Sequence, residues 1–185
     1  MNSITDLLDS FKDLHQSEAS FGVEGVLSIY SKCNFNADYQ RGNVWTFDQK
    51  LGLIDSIIKR IDIGKIALIR KSDAEDWAED CKIYEVLDGK QRMTAIWEFY
   101  NSEFQYWSKE FPNPIFYRQF DKTAKLKFGH RPLNFLIHDS LNRQQKLEYF
   151  LRLNERGLPV EKEHLDRVRE LLLKELNINS KPMIT

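Results

Sequence analysis

Tyr84-Glu85-Val86-Leu87-Asp88-Gly89-Lys90-Gln91-Arg92-Met93-Thr94 joins a strand to a helix through one tight turn. Lys82 to Leu87 is a short β-like run that stops at Asp88-Gly89. A helix then begins, with Met93, Ile96, Trp97 and Tyr100 on one face. A strand feeding a helix through a tight turn leaves the first helical N–H groups without internal partners, at the positive end of the helix dipole, and so makes an anion site. Gly89 permits close backbone approach. Gln91 offers amide donors, and Arg92 can clasp a phosphate bidentately. Asp88 can hold Mg²⁺ or position a water. A plain turn, with Asp88 as N-cap and two exposed polar residues, accounts for the same pentapeptide.

Working upstream, Ile66 to Ile69 is β-rich and short, so it predicts a strand. The polar run between the two strands holds Asp73, Glu75, Asp76, Glu79 and Asp80 and predicts a solvated loop. Phe47, Leu51, Ile54, Ile58 and Ile61 form one helical stripe. Thr46 precedes it as N-cap, with Gln49 at capping-box spacing, and Gly64 can end the segment. Val26 to Tyr30, after Gly22 and Gly25, predicts a short strand. Ile4, Leu7, Leu8, Phe11 and Leu14 predict an amphipathic helix.

Downstream, Pro112 and Pro114 mark a turn, and Leu133 to Ile137 predicts a strand. Asn142 can cap a helix carrying Leu147, Phe150 and Leu151, which Gly157 and Pro159 stop. Glu161 to Leu176 predicts a last helix striped by Leu165, Val168, Leu172 and Leu176. The expected organisation is an N-terminal helical segment over residues 1–20, one α+β domain over 21–176 with a helical C-terminal portion, and a tail over 177–185.

Composition sets the class. The 185 residues carry 27 Lys+Arg against 28 Asp+Glu, a net charge of −1, which disfavours nucleic-acid binding by bulk electrostatics and leaves room for a local basic cleft. Candidates for such a cleft are Lys122, Lys125, Lys127, His130 and Arg131, with aromatic Phe128 between them; a solvated basic stretch reads the same way. Cys33 and Cys81 form no CxxC pair. The first residues carry no basic signal-peptide region, and no apolar run approaches a membrane span. A soluble, cytoplasmic protein with reduced thiols is expected.

Two further clusters could carry chemistry. Tyr39-Gln40-Arg41, with Trp45, lies ahead of the first clear core helix. Arg41 could serve a phosphate, and Tyr39 or Trp45 could stack on a base or sugar; a buried aromatic cluster with a surface Arg is the alternative. Asn154-Glu155-Arg156-Gly157 reads first as a helix C-cap with a left-handed Gly. His15, His130, His138 and His164 fall in separate elements without an HExxH companion. No GxxxxGK[ST], GxGxxG or GxSxG motif occurs, so the usual routes to NTPase, dehydrogenase or hydrolase are absent.

Taken in order, Tyr39-Gln40-Arg41-Gly42-Asn43-Val44-Trp45, Leu53-Ile54-Asp55-Ser56-Ile57, and Tyr84 to Thr94 resemble the N-terminal domain of GmrSD-type modification-dependent restriction enzymes, within the ParB/sulfiredoxin-like superfamily. Phe150 to Val160 is similar to that family's downstream Asn-x-x-Gly segment. The resemblance covers about residues 25–170. Lys90 and Asn43 depart from the family's Gln and Tyr.

The resemblance implies a mixed small sheet with packed helices. It also implies a nucleoside-triphosphate site, with Mg²⁺ at Asp88 and phosphates on the Asp88-to-Arg92 turn. Tyr39, Gln40, Arg41, Trp45, Thr94 and Asn154 would complete that site. Asp88, Gln91 and Arg92 would serve turnover, if the domain hydrolyses its ligand. The family couples such hydrolysis to DNA cleavage by an HNH-type nuclease domain, and ParB relatives use CTP as a clamp switch. The chain is therefore expected to be the sensor half, without the nuclease half, of a restriction or phage-defence system. Two other readings stand beside it. One is a DNA-associated adaptor working with a nuclease partner. The other is a non-catalytic interaction protein, either a split-system subunit or a phage-encoded inhibitor.

Overall fold

A computed structural model describes residues 16–71, 82–155 and 162–179, with the backbone alone at residues 155 and 177–179. The expected helix over residues 4–14, the acidic loop over 72–80, Cys81, the Arg156-to-Val160 segment and the end of the tail lie outside them.

Five strands form one mixed sheet: β1 (Gln16–Gly22), β2 (Cys33–Asn34), β3 (Ile66–Arg70), β4 (Tyr84–Asp88) and β5 (Pro132–His138), in the order β1-β5-β3-β4-β2. β1 runs antiparallel to β5, β5 parallel to β3, β3 antiparallel to β4, and β4 parallel to β2. Six helices cover it: α1 (Val23–Tyr30), α2 (Phe47–Lys59), α3 (Lys90–Tyr100), α4 (Lys122–Gly129), α5 (Arg143–Glu155) and α6 (Lys162–Asn179). The expected α+β class is the observed one.

β3 explains the layering. Four successive residues, Ile66 to Ile69, are buried, as befits a central strand covered on both faces. Side chains alternate across a strand. Ile66 and Leu68 therefore join one core with Ile54, Ile57, Val86, Met93, Ile96, Phe99 and Phe135. Ala67 and Ile69 join a second core with Leu87, Leu147, Phe150, Leu151 and Val168. The sheet sits between α1, α2 and α3 on one face and α5 and α6 on the other.

Local signals set the helix starts. Thr46 caps α2 in a reciprocal box with Gln49. Asn142 and Gln145 exchange the same pair of bonds ahead of α5, at 2.9 Å each.

The structure corrects several local expectations. Val26 to Tyr30 is helix rather than strand: Val23, Val26, Leu27 and Tyr30 follow helical spacing, and Val23 and Val26 are fully buried. Gly25 lies inside that helix rather than before a strand, at a point where an added Cβ would fall 2.7 Å from the Phe21 Cβ. α2 ends at Arg60, which adopts φ 61, and not at Gly64. Ile61 therefore leaves the stripe and is 57% exposed. Residues 16–20, expected within an N-terminal helical segment, pair with β5 as strand. Phe128 is buried and stacks on nothing outside; it packs against Phe99 and Tyr117. Among the described residues, no helix is long and apolar enough to cross a membrane.

Candidate functional site

β4 delivers Asp88 to the edge of a pocket of about 330 Å³. Gly89 then turns the chain at φ 95 and ψ 10 and serves as N-cap of α3. The expected cap, Asp88, lies one residue too early. Any side chain at Gly89 would be strained by that φ and would come within 3.1 Å of the Ile66 side chain. The first bond of the helix is Met93 N–H to the Gly89 carbonyl, 2.9 Å. The N–H groups of Lys90, Gln91 and Arg92 therefore stand in the open first turn, beside the pocket that their side chains line.

Most of the site's polar side chains already hold the protein to itself. Arg92 donates to Asp88 Oδ2 at 2.6 Å and to the Ile63 carbonyl at 2.8 Å, and its side chain is 14% exposed. Gln91 donates to the Gly42 carbonyl at 2.7 Å and accepts from the Val44 and Trp45 N–H groups, at 3.2 and 3.4 Å. It is a clasp on the loop before α2. Gln40 donates to the Val86 and Leu87 carbonyls, at 2.9 and 3.0 Å, and pins the same loop to the end of β4. Lys90 Nζ donates to the Phe35 carbonyl at 2.9 Å, and burial lowers its pKa. Asn154 donates to the Phe150 carbonyl at 2.7 Å.

Arg41 differs. It lines the pocket half-buried, and no hydrogen bond or ion pair engages its guanidinium among the described residues. Lys65, a further cation on the rim, pairs with Glu18.

The pocket gathers Gln40, Arg41, Trp45, Asp88, Gly89, Lys90, Gln91, Arg92 and Asn154, nine of the residues singled out in the sequence. It does not gather Tyr39 or Thr94. Tyr39 is buried, its hydroxyl bonded to Glu85 and its ring 5.3 Å from Phe150; burial and Glu85 push its pKa up. Thr94 is buried on the inner side of α3, where the Tyr30 hydroxyl reaches it at 3.5 Å.

The sequence reading misses Ile63, Gly64 and Lys65 before β3, and Phe150 and Leu153 on α5. No motif marks them. The one signal is Gly64, whose φ is 78 and where a Cβ would stand 3.1 Å from Arg92 Nη1. Trp45, Ile63, Phe150 and Leu153 give the pocket an apolar wall. Asp88 is the one carboxylate lining it among the described residues, and no group of three His, Cys, Asp or Glu there could hold a metal alone.

No curated protein matches the chain. Among the solved structures similar to the chain are two of ParB proteins. The first is a Pnob8-like ParB-N domain, at TM-score 0.45 and 13% identity, covering 91% of this chain and 50% of that one. The second is the C-terminally truncated chromosome-partitioning protein ParB from Caulobacter crescentus, complexed with CTP-gamma-S, at TM-score 0.40 and 11% identity, covering 87% of this chain and 65% of that one. The chain thus spans half the length of the first and under two thirds of the second. The family model for the GmrSD restriction endonuclease N-terminal domain matches residues 24–167, most of the chain and all of the pocket, so the chain belongs to that family.

Proposed function

We propose that this domain binds a nucleoside triphosphate in the pocket at the N-terminus of α3 and thereby regulates a restriction-type DNA-cleaving system. One observation carries the reading. The open first turn of α3, the bare Gly89 and the unpartnered Arg41 converge on a single pocket. Its 330 Å³ lies at the small end of the range usual for small-molecule sites, about 300–1,000 Å³.

In this reading the first-turn N–H groups and Arg41 receive the phosphates. Trp45 and the apolar wall flank the sugar or base. Arg92 and Gln91 are positioning residues: one fixes Asp88 and the loop before β3, the other fixes the loop that carries Arg41. The residues fit a nucleotide-borne Mg²⁺ better than a resident one. Asp88 Oδ1 is left over once Oδ2 is bound to Arg92, and the phosphates would supply further oxygens. Hydrolysis would need a water oriented by Asp88, and binding does not require it.

Calorimetry with each NTP and Mg²⁺ tests the reading. Wild type should bind at least one nucleotide. Arg41→Ala should weaken binding tenfold or more with an unchanged melting temperature. Failure of wild type to bind any NTP, or equal binding by the variant, overturns it.

A further inference from the structure

Two further cavities lie along the loop that joins α2 to β3. One, of about 410 Å³, is lined by Arg60, Lys127, His130 and Arg131 with Leu126 and Pro132. The other, of about 300 Å³, shares Arg60, Arg131 and Pro132 with it and adds Ile61 and Asp62. No carboxylate lines the first. In the second, Asp62 Oδ1 accepts from the Gly64 N–H at 3.0 Å.

The cations come from three places in the fold: the end of α2, the end of α4 and the residue before β5. Among the described residues, none of these four basic side chains has an ion pair. The Nε of Arg131 is buried and meets no acceptor among the described residues.

Helix dipoles account for part of this charge. The C-termini of α2 and α4 both end here, and each carries roughly half a negative charge. Two such ends offset about one of the three permanent charges on Arg60, Lys127 and Arg131, and the Asp62 carboxylate offsets another, so a net excess of about one remains. That excess sits in a chain whose total charge is −1. Exposed Ile61, at 57%, and Leu126, at 47%, flank it.

We propose that this groove is a docking site for the sugar–phosphate backbone of duplex DNA, separate from the nucleotide pocket. The chemistry of a backbone matches it: anionic oxygens for Arg60, Lys127 and Arg131, and deoxyribose faces for Ile61 and Leu126. The family is one of DNA-cleaving enzymes, which selects DNA among polyanions. The site differs from the basic patch read in the sequence. Arg60 joins it, Phe128 is buried, and Lys125 is turned toward the Arg118 carbonyl at 3.4 Å. The groove stands independently of the nucleotide reading, although Ile63 lines both cavities.

Fluorescence anisotropy of the full chain with a labelled mixed-sequence duplex, across a salt series from about 50 to about 300 mM, tests the proposal. Wild type should bind at the lowest salt and weaken with a log–log slope near −0.9 per phosphate contact, roughly −3 for three contacts. Lys127→Glu with His130→Glu should lose at least tenfold in affinity, flatten the slope and leave NTP binding intact. Arg60→Gly keeps the left-handed cap while removing the charge; it should weaken DNA binding at an unchanged melting temperature. Absence of duplex binding at the lowest salt, variants that bind as wild type, displacement of the duplex by millimolar Mg-NTP, or tighter binding of a polyglutamate peptide than of DNA would each overturn it.

Discussion

Arg92 reaches back one helical turn to Asp88 at 2.6 Å while its other arm holds the Ile63 carbonyl at 2.8 Å. The residue that most invites a phosphate role is thereby a brace between β4, α3 and the loop before β3. Its guanidinium is largely buried, and removing it strands Asp88 and a backbone carbonyl. Arg92→Ala should cost about 1–3 kcal/mol in urea denaturation. Arg92→Lys, which cannot span both acceptors, should recover less than half of that loss.

Gly89 should tolerate nothing larger. Its φ of 95 and the Ile66 contact at 3.1 Å both oppose a Cβ. Gly89→Ala should lose about 1–2 kcal/mol of stability from the left-handed backbone alone. It should also abolish nucleotide binding, since the new methyl forces the turn to shift. Gly52, in α2, is the control: a Cβ there meets nothing within 4 Å, so Gly52→Ala should stabilise by about 0.5–1 kcal/mol. Thermal melts of the two variants should move in opposite directions.

Tyr39 distinguishes packing from ligand contact. Its hydroxyl donates to Glu85, which Lys146 also holds at 2.9 Å. Tyr39→Phe should cost about 1 kcal/mol in denaturation and shift the nucleotide Kd by less than twofold. A tenfold loss of affinity at unchanged stability would place the hydroxyl in the site after all.

His138 sets a pH dependence. It is fully buried on β5, its two ring nitrogens meet no partner among the described residues, and its ring lies edge-on to Tyr149 at 4.8 Å. Burial lowers its pKa, and only the adjacent Asp139 pulls the other way. The sign follows. The unfolded chain takes up a proton near pH 6.5, whereas the folded chain does so only at lower pH. Stability should therefore fall as pH drops below about 6.5 toward the folded value. Denaturation midpoints at about pH 7.5 and about pH 5.5 should differ more for wild type than for His138→Leu.

Elements with strong local chemistry are legible in the amino-acid sequence. The Thr46–Gln49 box, the Asn142 cap, the apolar run of β3, and the strand–turn–helix at Gly89 each encode their shape within a few residues. Sequence reading fails where the cause is not local. β1 is mostly exposed and carries no strong apolar alternation, and it is strand because β5 offers it an edge. Val26 to Tyr30 is β-rich in composition, yet helical because Val23 and Val26 must face the same core.

The amino-acid sequence alone names nine of the fourteen residues that line the pocket; Ile63, Gly64, Lys65, Phe150 and Leu153 join them only in the fold. The chain order of Tyr39 to Trp45, Asp88 to Arg92 and Asn154, with glycine at 89, sufficed to name nine residues that the pocket gathers. Only the tertiary structure decided their roles, because a side chain's role depends on which acceptors surround it. Neighbours brought in from residues 35, 42 and 63 engage Lys90, Gln91 and Arg92. Arg41 lines the same pocket, and no such neighbour engages its guanidinium among the described residues. The same holds for charge: a total of −1 is a sum over the chain, and folding alone places Arg60 beside Arg131.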